Sequence, residues 1–250
     1  MRHDTPNDST RKARTIHIDG LVNARDLGGL RRRNGSLTPS GIFYRAESID
    51  FIQPSGWQQL YDSGIRTVVD LRQQSERDKD VQSRPEWLNV VHSDLDGLDN
   101  DEFWNSYWEQ GLGSTALYYL PHLAAMPERA SAALTAIVTA PEGGVLFHCK
   151  SGRDRTGLIA LLLLSAIDTE PEDIVDDYLE TVRLGEVRGN RTGRANPEPA
   201  LEALCQKYGT TTEGAFRAVV KELEYADFIA RADLSERAHD ALHTWRGSIA

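Results

Sequence analysis

Residues 145–167 constrain this chain most. The short apolar run Val145-Leu146-Phe147 reads as a buried strand, and the longer run from Leu158 to Ile167 reads as a buried helix. Between them lies His148-Cys149-Lys150-Ser151-Gly152-Arg153-Asp154-Arg155-Thr156-Gly157. A thiol thus stands where a strand ends, and Arg155 stands where a helix begins. Gly152 is available for tight backbone geometry in the short connection. Backbone N–H groups of a loop running into a helix point inward and bind anions. A helix N-terminus and nearby cations also stabilise a thiolate, the attacking form of cysteine. The guanidinium of Arg155 can hold two oxygens of a phosphate and stabilise charge that builds during transfer. We therefore expect a phosphate cradle formed by Lys150, Ser151, Gly152, Arg153, Asp154, Arg155 and Thr156, with Cys149 at its floor. Thr156 would supply a hydroxyl beside the sulfur, and no metal or cofactor is needed for these steps.

The stretch resembles the active-site signature of the cysteine-dependent protein-tyrosine phosphatase superfamily, His-Cys-x5-Arg-Ser/Thr. Its Asp-Arg-Thr-Gly ending is similar to a bacterial tyrosine and dual-specificity branch. Two further segments carry the same resemblance. Asn23-Ala24-Arg25-Asp26-Leu27-Gly28-Gly29 is followed by Gly41-Ile42-Phe43-Tyr44-Arg45-Ala46-Glu47, and Gly64-Ile65-Arg66-Thr67-Val68-Val69-Asp70-Leu71-Arg72 comes next. The resemblance spans about residues 20–185 and is loose beyond them. It implies a phosphomonoester hydrolase acting through a cysteinyl-phosphate, on phosphotyrosine proteins with possible dual specificity. The alternative is a phosphoinositide phosphatase, because Lys150 and Arg153 flank the loop glycine as cations do in lipid phosphatases. A sulfur-transfer enzyme of rhodanese type, which also uses a cysteine loop, is disfavoured by the Asp-Arg-Thr-Gly ending. His148 is expected to support and orient Cys149, as the superfamily uses that position.

The general acid is less constrained. Asp70 and Asp94, with Asp96 close by, follow strand-like runs on the side where Cys149 emerges, and ligands bind at the carboxyl ends of parallel strands. Asp154 lies in the cradle itself, where its charge would face an anionic substrate. That cost suggests that it acts protonated or organises its cationic neighbours. The resembled branch has both the loop Asp and the Asp-Leu-Arg aspartate at its active site. Asp154 and Asp70 are accordingly the favoured pair, with Asp94 or Asp96 as the rival.

Alternating strand and helix patterns predict an α/β fold, a central mostly parallel sheet flanked by helices, with a helical C-terminal portion. Helices are expected over Pro54–Ser63, Ala130–Ala140 and the apolar run after the loop. Strands are expected over Arg66–Val69 and Leu88–His92. Thr169 and Glu172 form a capping box for a helix to about Leu184. Residues 185–196 read as a loop or linker, and helices follow near Glu198–Tyr208, Glu213–Phe228 and Ser235–Trp245. Asn34-Gly35 predicts a hairpin turn whose arginines, Arg31, Arg32 and Arg33, are solvated. Arg25 and Asp26 are expected as an internal ion pair supporting the phosphate loop. The aromatic stretch between Gly97 and Met126 reads as helix packing or as a lid over the loop. Cys205 reads as packing.

With 250 residues the chain suits one phosphatase domain over 16–250, made of a core at 20–185 and a helical extension at 197–247, after a disordered tail over 1–15. A formal charge of −10 argues against nucleic-acid partners and makes the cationic loop a local exception. No apolar run is long enough to span a bilayer and no leader-type segment is seen, so the cytoplasm is the default expectation. Two cysteines imply no disulfide framework. Oligomeric state is not legible.

Overall fold

The computed structural model describes residues 12–249. Five strands, β1 (Arg25–Asp26), β2 (Phe43–Ala46), β3 (Ile65–Asp70), β4 (Asn89–His92) and β5 (Gly144–His148), form one sheet in the order β1-β2-β5-β3-β4. All neighbours are parallel except β1 with β2. The helices are α1 (Pro54–Asp62), α2 (Gln74–Arg77), α3 (Asp101–Trp108), α4 (Tyr119–Ala125), α5 (Pro127–Val138), α6 (Asp154–Ala166) and α7 (Pro171–Arg183). After them come α8 (Gly185–Thr192), α9 (Glu198–Lys207), α10 (Thr212–Glu222), α11 (Tyr225–Arg231) and α12 (Glu236–His243). The expected α/β architecture with a helical C-terminal portion is what the chain forms.

Side-chain alternation along the central strands splits the core in two. Phe43, Val69, Val145 and Phe147 face the larger cluster, which α4, α5, α6, α7 and the C-terminal helices complete. Tyr44, Val68 and Leu146 face the smaller one, covered by α1 and the segment around Ile18 and Leu21. Helix α6 is buried at every position from Thr156 to Leu164, as its unbroken apolar run requires. In register, Ala46 and Asp70 flank His148, and His92 flanks Asp70. The carboxyl ends of four strands therefore meet at one edge, and the loop after His148 starts there.

Several expectations are corrected. Residues 1–11 of the expected tail lie outside the described residues, but residues 12–14 are helical, Arg14 is buried and Thr15 bridges to Arg25. The capping box does not form. Helix α7 begins after Glu170 with Pro171 in its first turn, and the Thr169 hydroxyl, which is buried, makes no hydrogen bond. The expected linker at 185–196 is mostly helix α8, ended by left-handed Gly193. The single helix expected over Glu213–Phe228 breaks at Leu223–Glu224 into α10 and α11, because Leu223 is extended. The Asn34-Gly35 turn is present, but only one bridge, Arg31 to Leu37, flanks it. Its arginines are not merely solvated: Arg31 grips Asp173 at 2.6 Å and Arg32 donates to Ile167 O at 2.7 Å.

Candidate active site

The loop from Cys149 to Arg153 turns the end of β5 into the start of α6. Gly152 has a φ of +69°, and a Cβ there would lie 2.4 Å from Ala46 O, so only glycine fits. Successive carbonyls of the loop are held from outside. His148 Nδ1–H donates to Cys149 O at 3.0 Å, and Ser48 N–H donates to Lys150 O at 3.1 Å. Asn23 Nδ2 reaches Ser151 O at 3.5 Å, and Arg45 Nη2 donates to Gly152 O at 2.7 Å. Tyr119 OH donates to Asp154 O at 2.7 Å. In a planar trans peptide the N–H points opposite to the C=O, so pinning each carbonyl outward aims the next amide inward. No backbone N–H from 150 to 156 donates to another protein group among the described residues. Cys149, only 1% exposed, sits at the base of this ring of donors.

The sequence segments at 23–29 and 41–47 are explained by this outer belt. Arg45 spans Gly152 O and Asp177 Oδ2, the latter at 2.5 Å. Arg25 Nε donates to Asp177 Oδ1 at 2.9 Å, and Arg14 also binds Asp177. Glu47 accepts from the amides of Val22 and Asn23, which fixes Asn23 against the loop. The expected Arg25–Asp26 pair does not form. Neighbouring strand residues point to opposite faces, so Asp26 instead accepts from Gly28 N and Gly41 N while Arg25 turns inward to Asp177. Three buried arginines around one aspartate leave net positive charge behind the cradle. Burial opposes the Asp177 charge, but Arg25, Arg45 and Arg14 hold its carboxyl far below the usual range. Burial and the neighbouring Arg25 push Arg45 down to about 10.

Arg155 lies between two carboxylates. Its Nη1 donates to Asp96 Oδ2 at 2.9 Å, and Glu76 on α2 takes both Nη1 and Nη2, the latter at 3.1 Å. Burial works against the Arg155 charge, but Cys149, Glu76 and Asp96 more than offset it, so the guanidinium stays protonated. Glu76 went unnoticed in the sequence; its only signal is its place a few residues after the Asp-Leu-Arg segment. Asp96 is buried, and burial raises its pKa to about 6. The Arg155 charge opposes that rise, and Asp94, Glu76 and Asp154 reinforce it.

Asp70 is engaged elsewhere. It accepts from Arg72 N at 3.0 Å, Nε at 2.9 Å and Nη2 at 2.8 Å. Burial opposes its charge, but His148 at 3.9 Å and Arg72 outweigh it and lower its pKa. His148, fully buried, is itself pushed toward the neutral form by that burial, so Arg72 is the lasting counter-charge. Asp154 is half-buried, and its Oδ1 accepts from Arg153 Nη1 at 2.7 Å. Arg153 turns away from the loop mouth: it is 1% exposed, with Nε on Glu198 at 3.1 Å and Nη1 on Ser114 O at 2.6 Å. Its backbone belongs to the cradle, but its guanidinium anchors α9. Lys150 is exposed, and the buried Thr156 hydroxyl has no partner. Among the described residues no three or more His, Cys, Asp or Glu side chains converge as a metal cage.

The aromatic stretch walls the site from below. Trp104 Nε1 donates to Asp96 O at 2.7 Å, His122 Nε2 bonds Leu95 O at 2.9 Å, and Tyr118 and Tyr119 are buried in the main core. A cleft of about 330 Å³ opens beside the loop, lined by Val22, Phe51, Lys150, Arg191, Arg194 and Leu201 among others.

Comparison with known proteins places these features in a common setting. The sequence pattern described as the tyrosine phosphatase family matches residues 16–244. A provisionally named tyrosine-protein phosphatase of Cupriavidus necator is 30% identical over 172 residues, covering 66% of this chain and 62% of that protein. A tyrosine-protein phosphatase of Nostoc commune is 28% identical over 145 residues, 56% of this chain and 48% of that protein. The triple specificity protein phosphatase PtpB of Mycobacterium tuberculosis is 28% identical over 194 residues, 66% of this chain and 68% of that protein. The chain thus spans less than two thirds of the length of the first two relatives.

Proposed function

The chain belongs to the tyrosine phosphatase family, and from that premise we propose that it hydrolyses phosphate monoesters, with phosphotyrosine protein as the leading substrate. The observation that carries the reading is the run of amides at 150–156 that follows Cys149 with no protein acceptor among the described residues. Cys149 Sγ attacks phosphorus as the bond to the leaving oxygen breaks. The amides and Arg155 hold the equatorial oxygens, and this fixed set of donors carries the charge that a metal carries in other phosphatases. A water then attacks the cysteinyl-phosphate, and the sulfur departs as a thiolate beside the Thr156 hydroxyl.

We assign the proton donor to Asp96, the rival in the sequence reading, ahead of the favoured pair. Asp96 lies 2.9 Å from Arg155, and its carboxyl, pushed up to about 6 by burial, holds a proton in a fraction of molecules near neutral pH and can give it up. Asp70, held charged by Arg72, has none to give, and acts instead as an anchor for Arg72 behind His148. Asp154 is the second candidate; its bond to Arg153 supports the role of organiser.

An aryl phosphate suits the cleft because Val22, Phe51, Pro197 and Leu201 offer apolar surface to a ring. Phosphoinositide hydrolysis is the second reading, favoured by the exposed Lys150 beside the loop. No helix among the described residues is long and apolar enough to cross a membrane. The test is p-nitrophenyl phosphate turnover by wild type and Cys149→Ser, with vanadate as inhibitor, followed by phosphotyrosine, phosphoserine and phosphoinositide substrates. Hydrolysis that survives Cys149→Ser would refute the mechanism.

A further inference from the structure

The cleft beside the phosphate loop has an uneven charge. Its two acidic lining residues are already engaged: Glu47 accepts from Val22 N at 2.7 Å and Asn23 N at 3.0 Å, and Asp154 accepts from Arg153. Buried Arg188 is also engaged, with Thr181 O at 2.9 Å and Glu198 at 3.4 Å. Lys150, Arg191 and Arg194 are exposed, and Arg191 and Arg194 make no ion pair among the described residues, while the Lys150 charge acts on Glu76. In a chain of net charge −10, one cleft thus gathers three exposed cations.

The hairpin that carries the arginines is tightly built. Cβ atoms at Gly185 and Gly189 would lie 2.6 Å from Asn196 Oδ1 and 2.8 Å from Arg194 O, so α8 packs backbone-close on the segment after it. Arg194 N donates to Gly189 O at 3.0 Å, and Gly193 takes a φ of +65° between them. Arg191 and Arg194 thus stand on this turn and line the same cleft as Lys150.

Resting on the phosphatase reading above, we propose that this rim selects phosphotyrosine peptides with acidic residues beside the phosphotyrosine. The apolar walls take the aryl ring, and Arg191 and Arg194 take the neighbouring carboxylate. A peptide fits better than a membrane lipid for two reasons. One wall of the cleft, Val22, Phe51, Ala195, Pro197 and Leu201, is apolar and suits a ring, whereas an inositol phosphate is polar on every side. The net charge also repels an anionic bilayer beyond the local cleft.

The test compares two phosphotyrosine peptides, alike except for acidic or neutral residues flanking the phosphotyrosine, with p-nitrophenyl phosphate as a third substrate. Wild type should favour the acidic peptide by about fivefold or more in kcat/KM, with the preference shrinking as salt rises. In Arg191→Gln/Arg194→Gln the ratio should fall toward one while p-nitrophenyl phosphate hydrolysis remains detectable, which shows that the chemistry persists. Arg191→Lys/Arg194→Lys should keep the preference, and Arg191→Glu/Arg194→Glu should reverse it. Equal rates on both peptides, a preference that survives the Gln pair, or arginine dependence seen only with a phosphoinositide in vesicles would overturn the subsite. Absence of p-nitrophenyl phosphate hydrolysis by wild type would instead overturn the phosphatase reading, and this one with it.

Discussion

Asp96 and Asp70 are both aspartates near the ends of parallel strands, yet their surroundings push them in opposite directions. Asp96 is buried near other carboxylates, with Trp104 held on its backbone carbonyl, and its pKa rises to about 6. Asp70 is wrapped by Arg72 and its pKa falls. An acid must be protonated to donate, so kcat/KM should decline as pH rises through about 6. Asp96→Asn should remove that alkaline limb and lower kcat by about 10²–10⁴-fold on alkyl or peptide substrates. It should cost less with p-nitrophenyl phosphate, whose leaving group needs little protonation. Asp154→Asn should retain the limb, and a pH–rate series on the two variants distinguishes them. The strand-end position of both residues was legible in the chain. Which of them is wrapped by the arginine two residues on, and which is buried near other carboxylates, depends on side-chain direction in the folded state.

At the scale of elements, the loop after β5 shows how a short segment is made rigid. Each carbonyl is held by a donor from a different part of the chain, and Gly152 supplies a backbone shape closed to other residues. Gly152→Ala should lower kcat by at least about 100-fold, since the Cβ would displace the amides that face the anion. Vanadate affinity should fall in parallel, which titration would measure. Helix α8 shows the reverse case. Gly185-Glu186-Val187-Arg188-Gly189-Asn190-Arg191-Thr192 has two glycines and one aliphatic residue, so its helical propensity and its periodicity are both weak. It folds as a helix because those glycines allow close packing against Asn196 and Glu198, and because Arg188 is bonded on the inner side. The capping box at Thr169 failed in the complementary way. Residue types suited the local motif, but Arg32 pairs with Thr169 across an isolated bridge, and the helix starts at Pro171.

Across the whole molecule, distant parts of the chain converge on the same core and the same charge network. Trp245 is fully buried, packs edge-on to Phe43 with ring centroids 4.6 Å apart, and donates to Pro39 O at 3.1 Å. Trp245→Ala should cost about 3–5 kcal/mol of stability in denaturant titration. Below its lowered melting point kcat should be near normal. Asp177 joins Arg14, Arg25 and Arg45. Because its folded pKa is depressed, its contribution is fully present above the ordinary unfolded value of about 4 and is lost as pH falls below it. Asp177→Asn should destabilise by about 3–5 kcal/mol at neutral pH, with the gap to wild type narrowing at acid pH in thermal melts. The residue types and their order were enough to specify the α/β alternation and the strand–loop–helix around Cys149, because periodicity and glycine geometry act locally. Tertiary structure alone decided the partner of Arg25, the separate environments of Asp70 and Asp96, the grip of Glu76 on Arg155 and the helix that walls the cleft. Each of those depends on which buried charge meets which over long sequence distances, and a charge taken out of water is stabilised only by the partner the fold brings to it.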